Sequence, residues 1–234
     1  MALYAIADLH LAHSTDKPMD IFGPAWENHV ERLKENWQNT VSPDDTVVVA
    51  GDISWGMRPS DALLDFKYLE ELNGHKIILK GNHDYWWSTM KKLYEFRDEV
   101  GAKSVDFLFN NAYYAEGKVI CGTRGWFVAD SYSPEDEKIV NREAERLRTS
   151  IKHGLELQKE HGDSEMCVFL HYPPAFAGQK CERICEVIHE YKIKDIWYGH
   201  LHGVQKQKLC FQTAGADLHL IAADWLNFTP VKIG

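Results

Sequence analysis

The chain has 234 residues, which suits one large domain with a full hydrophobic core. Its 26 basic and 35 acidic residues give a formal net charge of −9 at pH 7, which disfavours extended contact with nucleic-acid phosphates. No apolar run approaches the roughly 20 residues of a membrane span, and the first strand-like residues end in Asp8, so we expect neither a membrane helix nor a signal peptide.

Five apolar runs rich in β-branched residues predict strands at residues 3–7, 46–50, 76–80, 166–170 and 195–198. Three helices are predicted between and after the first three strands. The first carries apolar residues from Trp26 to Trp37. The second spans residues 63–72, with Ser60 as a candidate N-cap, and the third follows Asp84. This alternation is typical of an α/β layered sheet.

The second half of the chain has shorter β-like segments at residues 106–109, 113–116 and 119–122. Two more strands are predicted near the C-terminus, at residues 204–212 and 217–222. These segments indicate a second sheet that is partly antiparallel. No repeat or linker divides the chain, so we predict a single domain over residues 1–234.

A long charged helix is predicted at residues 134–161. Ser133 suits the N-cap and Pro134 the first helical position. A narrow apolar stripe follows, formed by Val140, Ala144, Leu147, Ile151 and Leu155. We favour a solvated helix that packs on the sheet through this stripe. The alternative is a cap that shapes substrate access, because Trp126 and Phe127 lead into the helix.

The five cysteines are odd in number and lack zinc-ribbon spacing; they are Cys121, Cys167, Cys181, Cys185 and Cys210. Cys181 and Cys185 lie one helical turn apart, so they could share a face. We expect buried, reduced thiols and therefore a cytoplasmic protein.

Polar clusters follow each of the five main predicted strands. They read Asp8-Leu9-His10, Gly51-Asp52, Gly81-Asn82-His83-Asp84, His171 and Gly199-His200-Leu201-His202. Ligands in such folds gather where strands release their carboxyl ends, so we expect one site at one edge of a sheet. An extended backbone would direct Asp8 and His10 to the same side. The mixed nitrogen and oxygen donors suit two manganese, iron or zinc ions better than calcium.

In this order, the motifs resemble those of the calcineurin-like metallophosphoesterase superfamily, and the chain is most similar to its small prokaryote-like phosphohydrolases. The resemblance implies an α/β sandwich of two central mixed β-sheets flanked by helices. It also implies that Asp52 bridges two metal ions and that His83 is the catalytic histidine. The remaining ligands divide into one set for each ion: Asp8, His10 and His202 for the first, and Asn82, His171 and His200 for the second.

Hydrolysis of a phosphate ester explains why such residues are needed. Two metals roughly 3.5–4 Å apart can neutralise the phosphoryl oxygens, activate a bridging water and hold the ester in line for displacement. An imidazole that binds no metal can protonate the leaving oxygen. The protein-phosphatase branch has the motif G-D-x-x-D-R-G, whereas this chain reads Gly51-Asp52-Ile53-Ser54-Trp55-Gly56. The missing second Asp and Arg argue against a phosphoserine/threonine phosphatase.

Four further residues are weaker candidates. Trp55 and Trp126 could contact a flat leaving group. Arg124, in the segment Gly122-Thr123-Arg124-Gly125, could bind a phosphate or make a surface ion pair. Asp84 could orient His83 or a metal ligand, or it could cap a helix that begins near Tyr85.

The function predicted from these residues is hydrolysis of a phosphodiester or small phosphomonoester, with a small phosphate ester as the binding partner. A non-catalytic scaffold with the same fold is an alternative, although the chain has lost neither ligands nor the catalytic histidine. A nuclease is the second alternative, and the acidic balance speaks against it. Nothing in the sequence indicates the oligomeric state.

Overall fold

The computed structural model describes residues 1–162 and 164–234. Within them the chain forms thirteen strands, β1 to β13, which are Leu3–Ile6, Thr46–Val49, His75–Ile78, Val105–Phe107, Tyr113–Ala115, Lys118–Thr123, Glu165–Leu170, Ala175–Phe176, Gln179–Lys180, Asp195–Tyr198, Gln212–Thr213, Ala216–Leu220 and Val231–Ile233. The same residues form five α-helices, α1 to α5, which are His29–Thr40, Leu63–Glu71, Met90–Val100, Pro134–His161 and Glu182–Glu190. None of the described helices is long and apolar enough to cross a membrane.

The first sheet has five strands in the order β13-β1-β2-β3-β4. Strands β1 to β4 are parallel, and only β13 runs antiparallel to its neighbour β1. The central strands are in matching register, since Ala5 pairs with Val48 and Val48 with Ile77. Helices α1 to α3 connect or follow these strands, as expected for parallel connections.

The second sheet has six strands in the order β11-β12-β10-β7-β6-β5. Its four central strands are parallel, whereas the edge strands β11 and β5 are antiparallel to their neighbours. The short strands β8 and β9 form a separate hairpin. The partly antiparallel second sheet expected from the sequence is therefore present.

The two sheets pack face to face, because alternate residues of each strand point to opposite sides. In β2, Val48 lies in a core shared with Ile120 and Phe169 of the second sheet. Its neighbours Val47 and Val49 lie in the core on the outer face, which α1, α2 and α3 cover. Helices α4 and α5 cover the outer face of the second sheet. The predicted sandwich of two mixed sheets flanked by helices is confirmed.

Helix α4 begins as the sequence predicts. The Ser133 side chain accepts a hydrogen bond from the Asp136 backbone N–H at 3.1 Å, and Pro134 occupies the first turn. The helix packs on β6, where Ser150 Oγ accepts a hydrogen bond from the Gly122 N–H at 2.9 Å. Four of the five predicted stripe residues are buried, but Leu155 is 37% exposed. Helix α4 therefore packs on the second sheet through most of the predicted stripe.

Three other sequence predictions need correction. Residues 204–212 are not one strand: they contain a 3-10 turn at Lys206–Lys208, and only Gln212 enters a sheet. Polar residues at 205–208 separate Val204 from the apolar residues Leu209, Cys210 and Phe211, so the segment lacks the alternation of a strand. The third helix begins at Met90, not near Tyr85. Ser60 lies inside a 3-10 turn that precedes α2 and caps nothing.

Candidate metal centre and active site

Each polar cluster follows the carboxyl end of a strand, but the strands belong to both sheets. Asp8, Asp52 and Asn82 follow β1, β2 and β3 of the first sheet, whereas His171 and His200 follow β7 and β10 of the second. The expectation of a site at the edge of one sheet is therefore too simple. The site lies where the carboxyl edges of two stacked sheets meet, which brings residues as much as 192 positions apart into contact.

One group of donors consists of Asp8, His10 and His202, whose ligand atoms all lie within 4.8 Å of one another. The Nε2 atoms of the two imidazoles are 3.2 Å apart. Nδ1 of His202 lies 2.9 Å from the Asp224 carboxylate, which accepts a hydrogen bond, so the neutral form of His202 donates from Nδ1 and has a lone pair on Nε2. That lone pair faces His10 Nε2, an arrangement that a cation between the rings would stabilise.

A second group consists of Asn82, His171 and His200. The Asn82 amide oxygen lies 2.6 Å from His171 Nε2 and 2.9 Å from His200 Nδ1. His171 donates from Nδ1 to the Ala50 carbonyl at 3.1 Å, so its Nε2 also presents a lone pair. Two acceptors that face each other at hydrogen-bond distance again suit a bound cation.

The Asp52 carboxylate lies between the two groups, and the Asp8 carboxylate of the first group also approaches His171 of the second. Asp52 Oδ2 is 3.8 Å from His10 Nε2 and 3.5 Å from His171 Nε2. The ligand atoms of Asp8, Asp52 and His171 also lie within 4.8 Å of one another. Both carboxylates are therefore close to donors of both groups.

The Asp8 carboxylate shows directly that the site fits a metal. Asp8 is fully buried, and its Oδ1 has no hydrogen-bond partner among the described residues. Burial raises the pKa of Asp8 well above its ordinary value, and the nearby His202 and the His200 N–H offset only part of that effect. Its Oδ2 accepts from the His200 N–H at 2.8 Å, but a buried carboxylate oxygen without a partner is costly, and a divalent cation at Oδ1 would reduce that cost.

The imidazoles are suited to bind metal through neutral nitrogens. Burial lowers the pKa of His171 and of His200 to about 3, and lowers that of His10 well below its usual range. His202 differs, because its hydrogen bond to Asp224 and the charge of Asp8 overcome the opposing effect of burial and raise its pKa. A carboxylate that accepts from the far nitrogen of a ligand histidine is a common feature of metal sites.

The expectation of an extended backbone at Asp8 and His10 is wrong. Asp8, His10, Asp52 and His200 have φ values of 61°, 47°, 52° and 71°. Non-glycine residues rarely adopt this left-handed region, which costs roughly 1–2 kcal/mol for each residue. Such strain persists where the surrounding structure over-determines the conformation, and it concentrates at functional sites.

Two motif glycines are required by the close packing of these loops. A Cβ atom on Gly81 would lie 2.1 Å from Asp52 Oδ1, and one on Gly199 would lie 2.5 Å from Asp8 Oδ2. Any side chain at either position would displace a candidate ligand. The glycines therefore serve the geometry of the site.

His83 lies beside the metal-ligand groups without joining them. Its backbone N–H donates to Asp52 Oδ1 at 2.7 Å, which ties its position to that carboxylate. The imidazole packs against Trp55, with ring centroids 4.3 Å apart, and its Nδ1 is 3.3 Å from the Tyr85 hydroxyl. Its ring lines the main cavity.

This cavity has a volume of about 480 Å³ and opens over the first donor group. Its walls are largely apolar and include Met19, Phe22, Trp26 and Trp55 alongside His10, His83 and His202. Trp55, a candidate substrate contact, is therefore part of the wall of this cavity. In the described part of the chain, neither Trp126 nor any residue of α4 lines this cavity.

Trp126 and Arg124 lie on the other side of the site. Trp126 packs against Tyr172, with ring centroids 5.6 Å apart, and Tyr172 in turn packs against His200. The Arg124 carbonyl accepts from the backbone N–H groups of His171 and Tyr172, while its side chain faces a second cavity.

Asp84 holds together the two loops that carry Asp52 and Asn82. Its carboxylate accepts from the backbone N–H groups of Asp52, Ile53, Ser54 and Gly81 at 2.7–3.2 Å, and from Trp86 Nε1 at 3.0 Å. The alternative role of helix cap does not apply, because α3 begins only at Met90.

We expect Asp84→Asn to destabilise the protein. The new amide NH₂ group would face backbone N–H donors and leave several of them unpaired, at about 1–3 kcal/mol for each buried group. The free energy of unfolding measured by urea denaturation should fall by about 3 kcal/mol. The exposed residue Asp130 provides the control: Asp130→Asn should change stability by less than about 0.5 kcal/mol. Equal stability of the two variants would contradict this role.

Asp224 is the main site residue that sequence reasoning misses. It follows the predicted strand at residues 217–222, so the rule that found the other clusters could have found it. Its carboxylate also accepts from the Gly203 N–H at 3.0 Å, which steadies the loop that bears His202. His13, which lies outside the motifs, pairs instead with the buried Asp65 at 2.7 Å.

Comparison with known proteins extends this description. The family model of calcineurin-like phosphoesterases matches residues 1–204. Gene 66 protein of Mycobacterium phage L5 is 31% identical over 78 residues, which is 33% of this chain and 37% of the phage protein.

Solved structures share the fold at low sequence identity. AQ665 of Aquifex aeolicus, described as a protein of unknown function, has a TM-score of 0.54 and 16% identity over 99% of this chain and 95% of that one. The phosphopantetheinyl hydrolase PptH of Mycobacterium tuberculosis has a TM-score of 0.53 and 14% identity over the same shares. TT1561 of Thermus thermophilus has a TM-score of 0.57 and 11% identity over 99% and 97%.

Proposed function

The chain belongs to the calcineurin-like phosphoesterase family, a hydrolase family that acts on phosphate esters, and we propose that it hydrolyses a phosphodiester or small phosphomonoester with two divalent metal ions. The observation that carries the proposal is the buried Asp8 carboxylate, whose Oδ1 has no partner among the described residues and lies 3.7 Å from His202 Nε2. A metal-dependent site explains why this anion is retained.

In this proposal Asp8, His10 and His202 hold one ion, Asn82, His171 and His200 hold the other, and Asp52 contacts both. When bound, two such ions supply positive charge to the phosphoryl oxygens and an ionised water near neutral pH. Mixed imidazole, carboxylate and amide donors support manganese, iron or zinc. We therefore propose that the metal is one of these three.

The proposed role of His83 is to donate a proton to the leaving oxygen of the ester. The support is positional: the ring lines the main cavity, beside the donor groups and outside both of them. The contact with Trp55 limits how far the imidazole can move, and the hydrogen bond from the backbone N–H to Asp52 fixes the position of the residue. A positioned general acid of this kind contributes about 10²–10⁴-fold to the rate.

The main cavity supports an ester with an apolar or flat leaving group. Trp26, Trp55, Met19 and Phe22 surround the space next to His83, and Phe22 is 65% exposed at the rim. Apolar walls with a few convergent polar groups are typical of small-molecule sites. The net charge of −9 supports a small ester over a nucleic acid, and the five free thiols support a cytoplasmic location.

The test is hydrolysis of bis-p-nitrophenyl phosphate and p-nitrophenyl phosphate with manganese, and again after treatment with a chelator. We expect turnover of at least one ester, its loss on chelation and its recovery when manganese is restored. The ratio of the two rates separates diesterase from monoesterase. Protein that carries two metals but hydrolyses neither compound would favour the scaffold alternative, and cleavage of DNA or RNA alone would favour a nuclease.

A further inference from the structure

A second cavity of about 270 Å³ adjoins the site, and four basic side chains line it: Lys80, Arg124, Arg142 and Arg146. Lys80 directly precedes the Gly81-Asn82-His83 motif, and the two last arginines lie on α4. Among the described residues that line the cavity, Glu143 is the one acid. The lining thus has an excess of three positive charges in a chain whose net charge is −9.

Glu143 cannot satisfy all of these cations. Its Oε2 accepts from the Thr123 hydroxyl at 2.7 Å, and its Oε1 accepts from Arg146 Nη1 at 2.6 Å. Arg124 Nη2 and Arg142 Nε are 3.8 and 3.9 Å from the same Oε1, which is too far for a hydrogen bond. Two guanidinium groups therefore approach the carboxylate without hydrogen-bonding to it.

Two buried donors at the cavity also lack acceptors. Neither Arg124 Nε nor Trp87 Nε1 has a hydrogen-bond partner in the described part of the chain, although both atoms are shielded from solvent and both residues line the cavity. Buried N–H groups in native proteins are almost always paired, so each such exception needs an explanation. The acceptors of the described residues therefore leave donors of two cavity-lining residues unpaired.

We propose that this second cavity binds a phosphate group. Forked guanidinium groups match the spacing of phosphate oxygens and bind them in pairs. The cavity is smaller than the roughly 300–1,000 Å³ of pockets that enclose whole drug-sized ligands, which suits a single phosphate group. The proposal also gives α4 a ligand-binding role, since Arg142 and Arg146 reach the cavity from that helix.

The phosphate could come from two sources: a second phosphate group on the substrate, or free inorganic phosphate. The first source rests on the proposed function, because it requires one ester to reach both cavities. The second does not. Arg142→Glu is a suitable test variant for both, because Arg142 is 54% exposed and lies outside the catalytic set. Lys152→Glu makes the same charge change at an exposed position of α4 outside the cluster.

The first experiment locates the anion directly. Crystals of the manganese-loaded protein are soaked in tungstate, a heavy analogue of phosphate, and anomalous density is measured for the wild type and both variants. We expect a peak in the second cavity of the wild type and of Lys152→Glu, and no such peak in Arg142→Glu. An empty cavity in the wild type, or a peak that persists in Arg142→Glu as an adventitious ion, would overturn the proposal.

The second experiment identifies the source by calorimetry with inorganic phosphate, adenosine monophosphate and adenosine 3′,5′-bisphosphate. If the substrate supplies the group, Arg142→Glu should raise only the dissociation constant of the bisphosphate, by at least about tenfold, or about 1.4 kcal/mol. If free phosphate binds, the variant should weaken binding of inorganic phosphate itself by a similar factor. Unchanged binding of all three compounds refutes the phosphate site. These readouts need no turnover, so failure of the proposed hydrolysis leaves them interpretable.

Discussion

Asp52→Ala is expected to abolish phosphoester hydrolysis and to lower metal content in the same variant. The Asp52 carboxylate lies within 3.8 Å of donors from both ligand groups, so its loss weakens both proposed metal positions at once. Charge stabilisation by metals is worth several kcal/mol in the transition state. A loss of about 4 kcal/mol corresponds to a fall in kcat/KM of about thousandfold.

The measurement pairs kcat/KM with metal content from elemental analysis of the purified protein. Asp44→Ala is the control, because Asp44 is an exposed acid in a turn before β2. The folded state of Asp52→Ala should persist without metal, since the substitution removes a buried carboxylate together with the hydrogen bond that it accepts from the His83 N–H. Full metal content in Asp52→Ala would contradict the proposal that the Asp52 carboxylate contacts both metal ions.

His83→Ala should have the opposite pattern, with hydrolysis lost and both metals retained. The His83 side chain belongs to neither donor group, so metal affinity should not depend on it. Loss of a general acid should lower kcat by about 10²–10⁴-fold. The fall should be smaller for an ester with a more acidic leaving group, because such a group departs without a proton.

Two controls separate this chemical role from a structural one. His153→Ala removes an exposed histidine of α4 and should leave kcat unchanged. Tyr85→Phe removes the hydroxyl that lies 3.3 Å from His83 Nδ1 and should lower kcat only modestly, because Trp55 still holds the ring. If His83→Ala lost its metals and regained full specific activity when they were restored, His83 would be a structural residue.

The nature and order of the main elements could be predicted from the sequence, because they depend on local patterns. Continuous apolar runs such as Val47-Val48-Val49 are compatible with a strand covered on both faces, and the structure buries this one completely. Ser133 and Pro134 mark the start of α4 for reasons confined to the first turn of that helix. Short segments with weak periodicity are harder to predict from the sequence. Residues 204–212 form no continuous strand, and β13 is too short for an apolar pattern to indicate it.

The candidate ligands could also be found in the sequence, since each follows a strand end that the apolar pattern predicts. Only the tertiary structure shows how they are arranged. The left-handed backbone of Asp8, His10, Asp52 and His200 replaces the extended geometry assumed from residue spacing. The loops also pack closely, since a Cβ atom on Gly81 would overlap the Asp52 carboxylate.

The sequence by itself therefore determined the family, the sandwich of two sheets and the set of candidate metal ligands, because strand patterns and motif order are local properties of the chain. Tertiary structure decided that Asp224 supports His202, that Trp55 lines the main cavity while Trp126 does not, and that Arg124 joins the arginines of α4 at a second cavity. These relations depend on how two sheets stack and where a long helix crosses one of them. Residues that become neighbours through such packing are distant in sequence, so local sequence patterns cannot predict their contacts.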